Sequence, residues 1–208
     1  NWVSNLALVK KTMGIAPQRV VPHLAPTTFR NWVKKNRKDT ATTLYPNGQV
    51  YLFCDEFTNF YDVGVGVDTY ELLTQLGYQV VIIDHQESGR AFISKGFLEQ
   101  AKTIATRNVA IFKNIVSAET PLLGIEPSAI LTFRDEYLRL AEDKAGAEQL
   151  AKHVFTIEEF FKREIEKGAI RAEHFSDQAQ SIKIHGHCHQ KALSAVEATF
   201  VMLNLPKN

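Results

Sequence analysis

The densest reactive cluster in the sequence is His185-Gly186-His187-Cys188-His189, three imidazoles and a thiol within five residues. Imidazole and thiolate are the preferred ligands of zinc and related ions, so the composition suits a metal centre. In an extended strand, His185, His187 and His189 would share one face and Cys188 would take the other, so one tetrahedral ion cannot collect all four. Two readings stand: Cys188 and His187 as metal ligands, or hydrogen-bonded histidines that close a strand end and open the next helix. A Cys–His nucleophilic pair meets the same obstacle of alternation. A second group, Glu87-Ser88-Gly89-Arg90, offers a guanidinium and backbone N–H donors to an anion, or forms a salt-bridged loop. A third, Cys54-Asp55-Glu56, sets a thiol beside two carboxylates that suit acid–base work. Glu126 and Ser128 add a carboxylate and a hydroxyl in a fourth turn. There is no GxGxxG and no Gly-rich phosphate loop, which argues against a nucleotide-binding Rossmann domain.

The elements around these groups alternate between strand and helix. Tyr45-Pro46-Asn47-Gly48 is a turn signal, and the apolar run 49–54 after it reads as a buried strand. Val67, Tyr70, Leu73 and Leu76 have helical spacing, with Gly77 as the stop. Residues 79–84 form a β-branched strand, 121–126 a weaker one and 182–185 a fourth. Between them the pattern predicts a long helix capped by Ser94 and running to about Val116. A helix capped by Ser128 should run to Leu140, with others at 143–153 and 156–167. Thr156 and Glu159 form a capping-box pair for the last of these, and a closing helix spans 190–203. The result is an α/β fold, a parallel sheet of about four or five strands with helices on both faces, preceded by a basic helical linker. In such sheets ligands sit where the strands end at their carboxyl side. The turns 55–64, 85–93, 126–128 and 186–189 all fall there. Cys54, Glu87, Ser88, Arg90, Glu126 and Ser128 therefore line one expected crevice, a candidate anion site.

Composition narrows the classes. The 208 residues are 45% hydrophobic and 23% charged, an ordinary globular balance. No apolar run approaches the roughly 20 residues of a membrane helix. Two cysteines exclude a disulfide framework and favour a reducing, cytoplasmic compartment. The net charge of +1 hides an asymmetry: the first 38 residues carry Lys10, Lys11, Arg19, Arg30, Lys34, Lys35, Arg37 and Lys38 and no acid. Such an arm suits a nucleic acid, a lipid surface or an acidic domain. Trp2 and Trp32 lie within it, but Phe29, Trp32 and Val33 have the i, i+3, i+4 spacing of a short helix that docks on a neighbour. An interdomain connector is thus expected, with no nucleic-acid partner; peripheral membrane association stays open. The start at Asn1, without an initiator Met, suggests an excised piece.

Four segments in this order carry a family resemblance: Leu52-Phe53-Cys54-Asp55-Glu56-Phe57-Thr58-Asn59, Glu87-Ser88-Gly89-Arg90-Ala91-Phe92, Gly124-Ile125-Glu126-Pro127-Ser128-Ala129 with Arg134-Asp135-Glu136-Tyr137, and His185-Gly186-His187-Cys188-His189-Gln190-Lys191-Ala192-Leu193. Together they resemble the C-terminal cysteine-rich (CCG) region of FAD-linked oxidases, the D-lactate dehydrogenase, glycolate oxidase and D-2-hydroxyglutarate dehydrogenase-like iron–sulfur flavoproteins. The likeness covers nearly the whole chain. It implies an electron-transfer and docking fragment of an FAD-linked 2-hydroxyacid dehydrogenase, not itself catalytic, with flavin and ferredoxin-like domains of the same polypeptide as partners. It also implies FAD and a [4Fe-4S] cluster in the full-length protein.

The sequence departs from that pattern where the cluster ligands belong. Glu87-Ser88-Gly89-Arg90 stands where Cys-Cys-Gly-Arg is expected, and Glu126-Pro127-Ser128-Ala129 where Cys-x-x-Cys is expected; the first Cys position of the pattern falls at Cys54 or Glu56. Carboxylates and hydroxyls replace thiolates poorly on iron–sulfur clusters, so no intact cofactor is expected in this fragment. Cys188 matches the first ligand position of a second module whose Cys-Cys-Gly would follow Asn208. The resemblance therefore divides the chain into a basic linker (1–47), a degenerate first CCG-type module (48–180) and the start of a truncated second one (181–208). Two alternatives stand beside it: a self-contained metal- or Cys/His-dependent enzyme acting on a small anionic substrate, and a structural remnant.

Overall fold

The computed structural model describes residues 6–36 and 44–206. Four short strands, β1 (Gln49–Phe53), β2 (Gln79–Val81), β3 (Leu122–Gly124) and β4 (Val154–Thr156), form one parallel sheet in the order β2-β1-β3-β4. Side-chain alternation along β1 divides the core in two. Val50, Leu52 and Cys54 face one cluster, built with Val80, Leu123 and Phe160. Phe53 faces the other, with Leu122, Val154 and Phe112. Helices α2 (Phe29–Asn36), α4 (Val63–Gln75) and α10 (Ile157–Glu166) cover the first face. Helices α6 (Leu98–Phe112), α8 (Glu136–Leu140) and α9 (Lys144–Ala151) cover the second. This is the expected α/β architecture. Among the described residues no helix is long and apolar enough to cross a membrane.

Local signals worked where short-range chemistry decides. Gly48 N–H donates to Tyr45 O at 3.1 Å, closing the turn before β1. Gly77 ends α4 with φ at 83°, a left-handed conformation that costs glycine nothing. Thr156 and Glu159 form the capping box of α10 in both directions, at 3.3 and 3.0 Å. Helix α2 docks through fully buried Phe29 and through Val33, while α1 (Ala7–Thr12) precedes it in the arm. Trp32 lies edge-on to Tyr70, with centroids 5.8 Å apart, so this ring is committed to packing. Trp2, Arg37 and Lys38 fall outside the described residues.

Several expectations are corrected. Residues 182–185 form no strand; the fourth strand is Val154–Thr156, three residues between two helices, too short to interrupt the helical pattern by itself. The turn at 186–189 therefore does not leave a strand. The helix expected from Ser94 to Val116 is two, α5 (Arg90–Lys95) and α6, parted by Gly96 at φ 78°. Ser94 lies inside α5, bonded to Arg90 O. Glu126, not Ser128, caps α7 (Pro127–Ile130), and a 3-10 turn at Leu131–Arg134 separates α7 from α8. The closing helix is also two, α11 (Cys188–Leu193) and α12 (Glu197–Leu203), broken at Ser194. Residues 56–60, expected in a loop, form α3 (Glu56–Phe60).

Candidate functional site

Strands β1 and β3 are neighbours, yet β1 is followed in sequence by β2 on its other side. The chain thus leaves β1 and β3 in opposite directions, and a crevice opens between their carboxyl ends, where wound sheets bind ligands. The turns after β1, β2 and β3 meet there. Asp55 sits at its base, 1% exposed, and caps α3 by accepting Phe57 N–H and Thr58 N–H at 2.9 Å and the Thr58 hydroxyl at 2.7 Å. Burial pushes its carboxyl up to about 6, against the pull of the Thr58 bonds, with help from Glu56 and Glu126. Glu56 reaches across to the β2 turn. Its two oxygens accept the Ser88 backbone N–H at 2.9 Å and the Ser88 hydroxyl at 2.7 Å. Ser88 Oγ in turn accepts Arg90 N–H at 3.0 Å, tying the start of α5. Gly89, at φ 73° and tight against Ile104, makes that turn possible.

Arg90 lies over this network. Its guanidinium pairs with Glu136 and approaches His189 Nε2 at 3.3 Å. On the other flank Glu126 accepts the Ser128 hydroxyl at 2.5 Å and Ala129 N–H at 2.6 Å. His187 Nε2 stands 3.7 Å from Glu126 Oε1. His187 Nδ1 accepts His189 N–H at 3.2 Å and so caps α11. The structure therefore brings Glu87, Ser88, Arg90, Glu126 and Ser128 to one rim, and the 187–189 turn reaches it by helix packing. Burial, with Glu56 nearby, raises the Glu87 carboxyl. Most of these groups are engaged with one another, so the rim is a closed polar latch.

The two thiols differ. Cys54 is 3% exposed, with Sγ 3.5 Å from Asn59 Oδ1. Burial pushes its thiol up to about 12, Asp55 adding to this and Arg30 opposing it, so it is protonated at neutral pH. Cys188 is exposed at the start of α11, beside the ring pair His187–His189. Among the described residues, no group of three or more His, Cys, Asp or Glu is placed to hold a metal ion.

Four residues, Asn108, Tyr137, His85 and Arg30, take supporting roles that the sequence did not assign to them. Asn108, fully buried on α6, accepts Gln86 N–H at 3.0 Å and donates to Glu87 O and to Tyr137 Oη, both at 2.9 Å. Tyr137 Oη donates onward to Ser88 O at 2.9 Å. The signal was present: Asn108 interrupts the apolar stripe Ala101, Ile104, Ala105, Val109 and Phe112. His85 shows a third role, structural rather than ligating. Its Nε2 accepts Cys54 N–H at 3.1 Å and its Nδ1 lies 2.5 Å from Gln86 O, a pairing that suits the neutral ring. Burial and then the Arg30 charge push it down to about 3. Arg30 completes the clamp from α2 by donating to Ile83 O at 2.9 Å.

Fold and site thus define a small parallel α/β unit with a self-bonded polar rim at its switch point. Searches among known proteins add the relatives. The D-2-hydroxyglutarate dehydrogenase of Haemophilus influenzae is 26% identical over 213 residues, which cover 96% of this chain and 19% of that protein. The enzyme of the same name from Pantoea ananatis is 31% identical over 98 residues, 47% of this chain and 10% of its own. That of Escherichia coli is 33% identical over 91 residues, 43% and 9% respectively. This chain spans about a fifth or less of the length of these relatives. No family model matches it. No solved structure matches it either.

Proposed function

We propose that this chain is the electron-transfer and docking part of an FAD-linked 2-hydroxyacid dehydrogenase, with substrate oxidation carried out by a flavin domain of the same polypeptide. The observation that carries the reading is the alignment that runs along 96% of this chain yet covers 19% of a D-2-hydroxyglutarate dehydrogenase. The four motifs add weight, because they converge on one rim instead of scattering over the sheet. FAD belongs to the absent part. The rim residues do not fit a thiolate-held iron–sulfur cluster. Cys54 is buried and protonated, the Cys-Cys-Gly position holds Glu87 and Ser88, and Ser88 is spent on Glu56. Only Cys188 offers an exposed thiol, and with His187 it stays the candidate start of a second module's ligand set. This chain's part is then to hold neighbouring domains in register.

The test is the full-length polypeptide purified without air. The expected result is stoichiometric FAD, reduction of that flavin by a D-2-hydroxy acid, and no four-iron content in residues 1–208 expressed alone. A full set of iron and acid-labile sulfide in the 208-residue chain would overturn the cluster argument. Absence of flavin from the full-length protein would overturn the dehydrogenase reading.

A further inference from the structure

The two edges of the sheet are treated differently. At one edge β4 is guarded. The Thr156 N–H is taken by Glu159 Oε2 at 3.0 Å, and the groove beside the strand holds Arg134, Lys152, Lys162 and Arg163. Charged side chains of this kind keep a sheet edge from pairing with another chain. At the other edge β2 has no such guard, and it pairs with β1 alone. Gln79 N–H points inward, to Gly48 O at 2.8 Å, so strand alternation turns the N–H and C=O of Val80 and Ile82 outward. Among the described residues no backbone group meets them there. The run Gln79-Val80-Val81-Ile82-Ile83 is β-branched after its first residue, with no proline and no charge. That composition makes an open edge associate.

A groove of about 630 Å³ lies along this edge, between residues 79–84 and Arg30, Val33 and Lys34 of α2. Its charges are placed at different ends. Arg30 donates to Ile83 O at 2.9 Å and stands 3.6 Å from the fully exposed Asp84. Trp32 and Asn36 of α2 share a cavity with Tyr45, and the turn from Tyr45 to Gly48 meets Gln79. Helix α2 therefore runs from the Asp84 end toward the Gln79 end, and it carries the exposed Lys34 in that direction.

We propose that β2 is a dimerisation edge: two copies of this chain join β2 to β2, antiparallel across a two-fold axis, into one continuous sheet. Charge selects this occupant. A two-fold axis near Val81 and Ile82 brings Asp84 of each copy over the Gln79 end of the other, toward which Lys34 lies. Acid and base then meet at both ends of the joint. An acidic segment from another protein would meet Asp84 as a like charge, and a basic one would meet Arg30 and Lys34. The chain's own edge matches both. The outward groups of Val80 and Ile82 supply the ladder bonds, while the charges fix the direction of pairing. The two polar rims then open at opposite ends of the joined sheet, and neither blocks the other.

The experiment is analytical ultracentrifugation of the 208-residue chain over a concentration series, with amide hydrogen exchange at its two extremes. A reversible monomer–dimer equilibrium is expected, with the Val80 and Ile82 amides exchanging freely when dilute and protected when concentrated. Asp84→Lys alone and Lys34→Asp alone each set like charges face to face at both ends of the joint. Each should weaken dimerisation by about tenfold. Both positions are exposed, so the melting temperature of the dilute monomer should hardly move. The double variant, Lys34→Asp with Asp84→Lys, restores opposite charges across the joint. It should bring the dissociation constant back to within about threefold of the parent. A chain that stays monomeric at every concentration overturns the proposal. So does a dimer in which both amides exchange freely, or one in which the double variant is as weak as the single ones.

Discussion

Cys54 and Cys188 end up in opposite environments although each adjoins one of the turns that meet at the rim, Cys54 buried in the core and Cys188 exposed. Cys54 follows β1, the central strand, and every group near it is bonded. Its N–H goes to His85, its thiol meets Asn59, and Asn59 also accepts Arg30 N–H at 3.2 Å. Cys188 follows a stretch that, among the described residues, has no backbone–backbone partner, and its helix is attached through His189 to Arg90, Gln190 to Thr199 and Leu193 O to Arg134. The same residue type is therefore a sealed core group in one place and an accessible one in the other. The difference comes from the backbone: a strand paired on both sides fixes the turn that leaves it, and an unpaired segment does not.

The largest effect expected from this contrast is on thiol chemistry. Alkylation proceeds through the thiolate, so burial and a raised pKa act together against Cys54. At pH 7.5 the folded chain should label at Cys188 at least about a thousandfold faster than at Cys54, a difference worth ~4 kcal/mol. Peptide mass spectrometry after timed alkylation reads the two rates, and comparable rates would break the comparison.

Next in size is the bracket that holds the rim. Asn108→Ala leaves Gln86 N–H, Glu87 O and part of Tyr137 Oη without partners in a buried site. At about 1–3 kcal/mol per stranded group, partly offset by relaxation, the loss should be about 3 kcal/mol in urea unfolding. The matching change on the loose side, Lys191→Ala on the exposed face of α11, should cost under about 0.5 kcal/mol. If the two variants lose similar stability, the bonded side is no firmer than the open one.

A smaller effect concerns pH. Asp55 has its folded carboxyl raised from 3.8 to about 6 by burial. Below 3.8 the group is protonated in both states and its contribution to stability is fully present. That contribution is lost as pH rises through about 6, because the unfolded chain releases the proton first. Asp55→Asn keeps the shape, and its carbonyl can still cap α3. Relative to the parent, the variant should therefore gain about 2 kcal/mol between pH 4 and pH 7, measured as the difference of two denaturant series. A pH-independent difference would place the Asp55 charge in a well-solvated setting.

Much of the scaffold was legible because its signals are local. The alternation of Val50, Tyr51, Leu52 and Phe53 marks a strand, Gly77 a helix end, and Thr156 with Glu159 a capping box, each within one turn of chain. The errors lie where distance matters. Val154–Thr156 and Ser181–His185 are both short β-compatible runs. The first became a strand because β3 lay in register beside it, Leu122 opposite Val154. Among the described residues the second has no neighbour to pair with. The candidate rim residues were legible by type, since polar groups after apolar runs are conspicuous. Their bonding was not: the Glu56–Ser88 link spans 32 residues and the Arg90–His189 approach 99.

The amino-acid sequence alone determined which faces are apolar, where most elements begin and end, and that thiols are scarce where a cluster would need them. Those properties follow from side-chain chemistry and spacing along the chain. Only the tertiary structure decided which short run pairs, which thiol is sealed, and that the polar rim closes on itself. Hydrogen bonds and burial depend on which distant segments meet, and that is set by the packing of the whole chain.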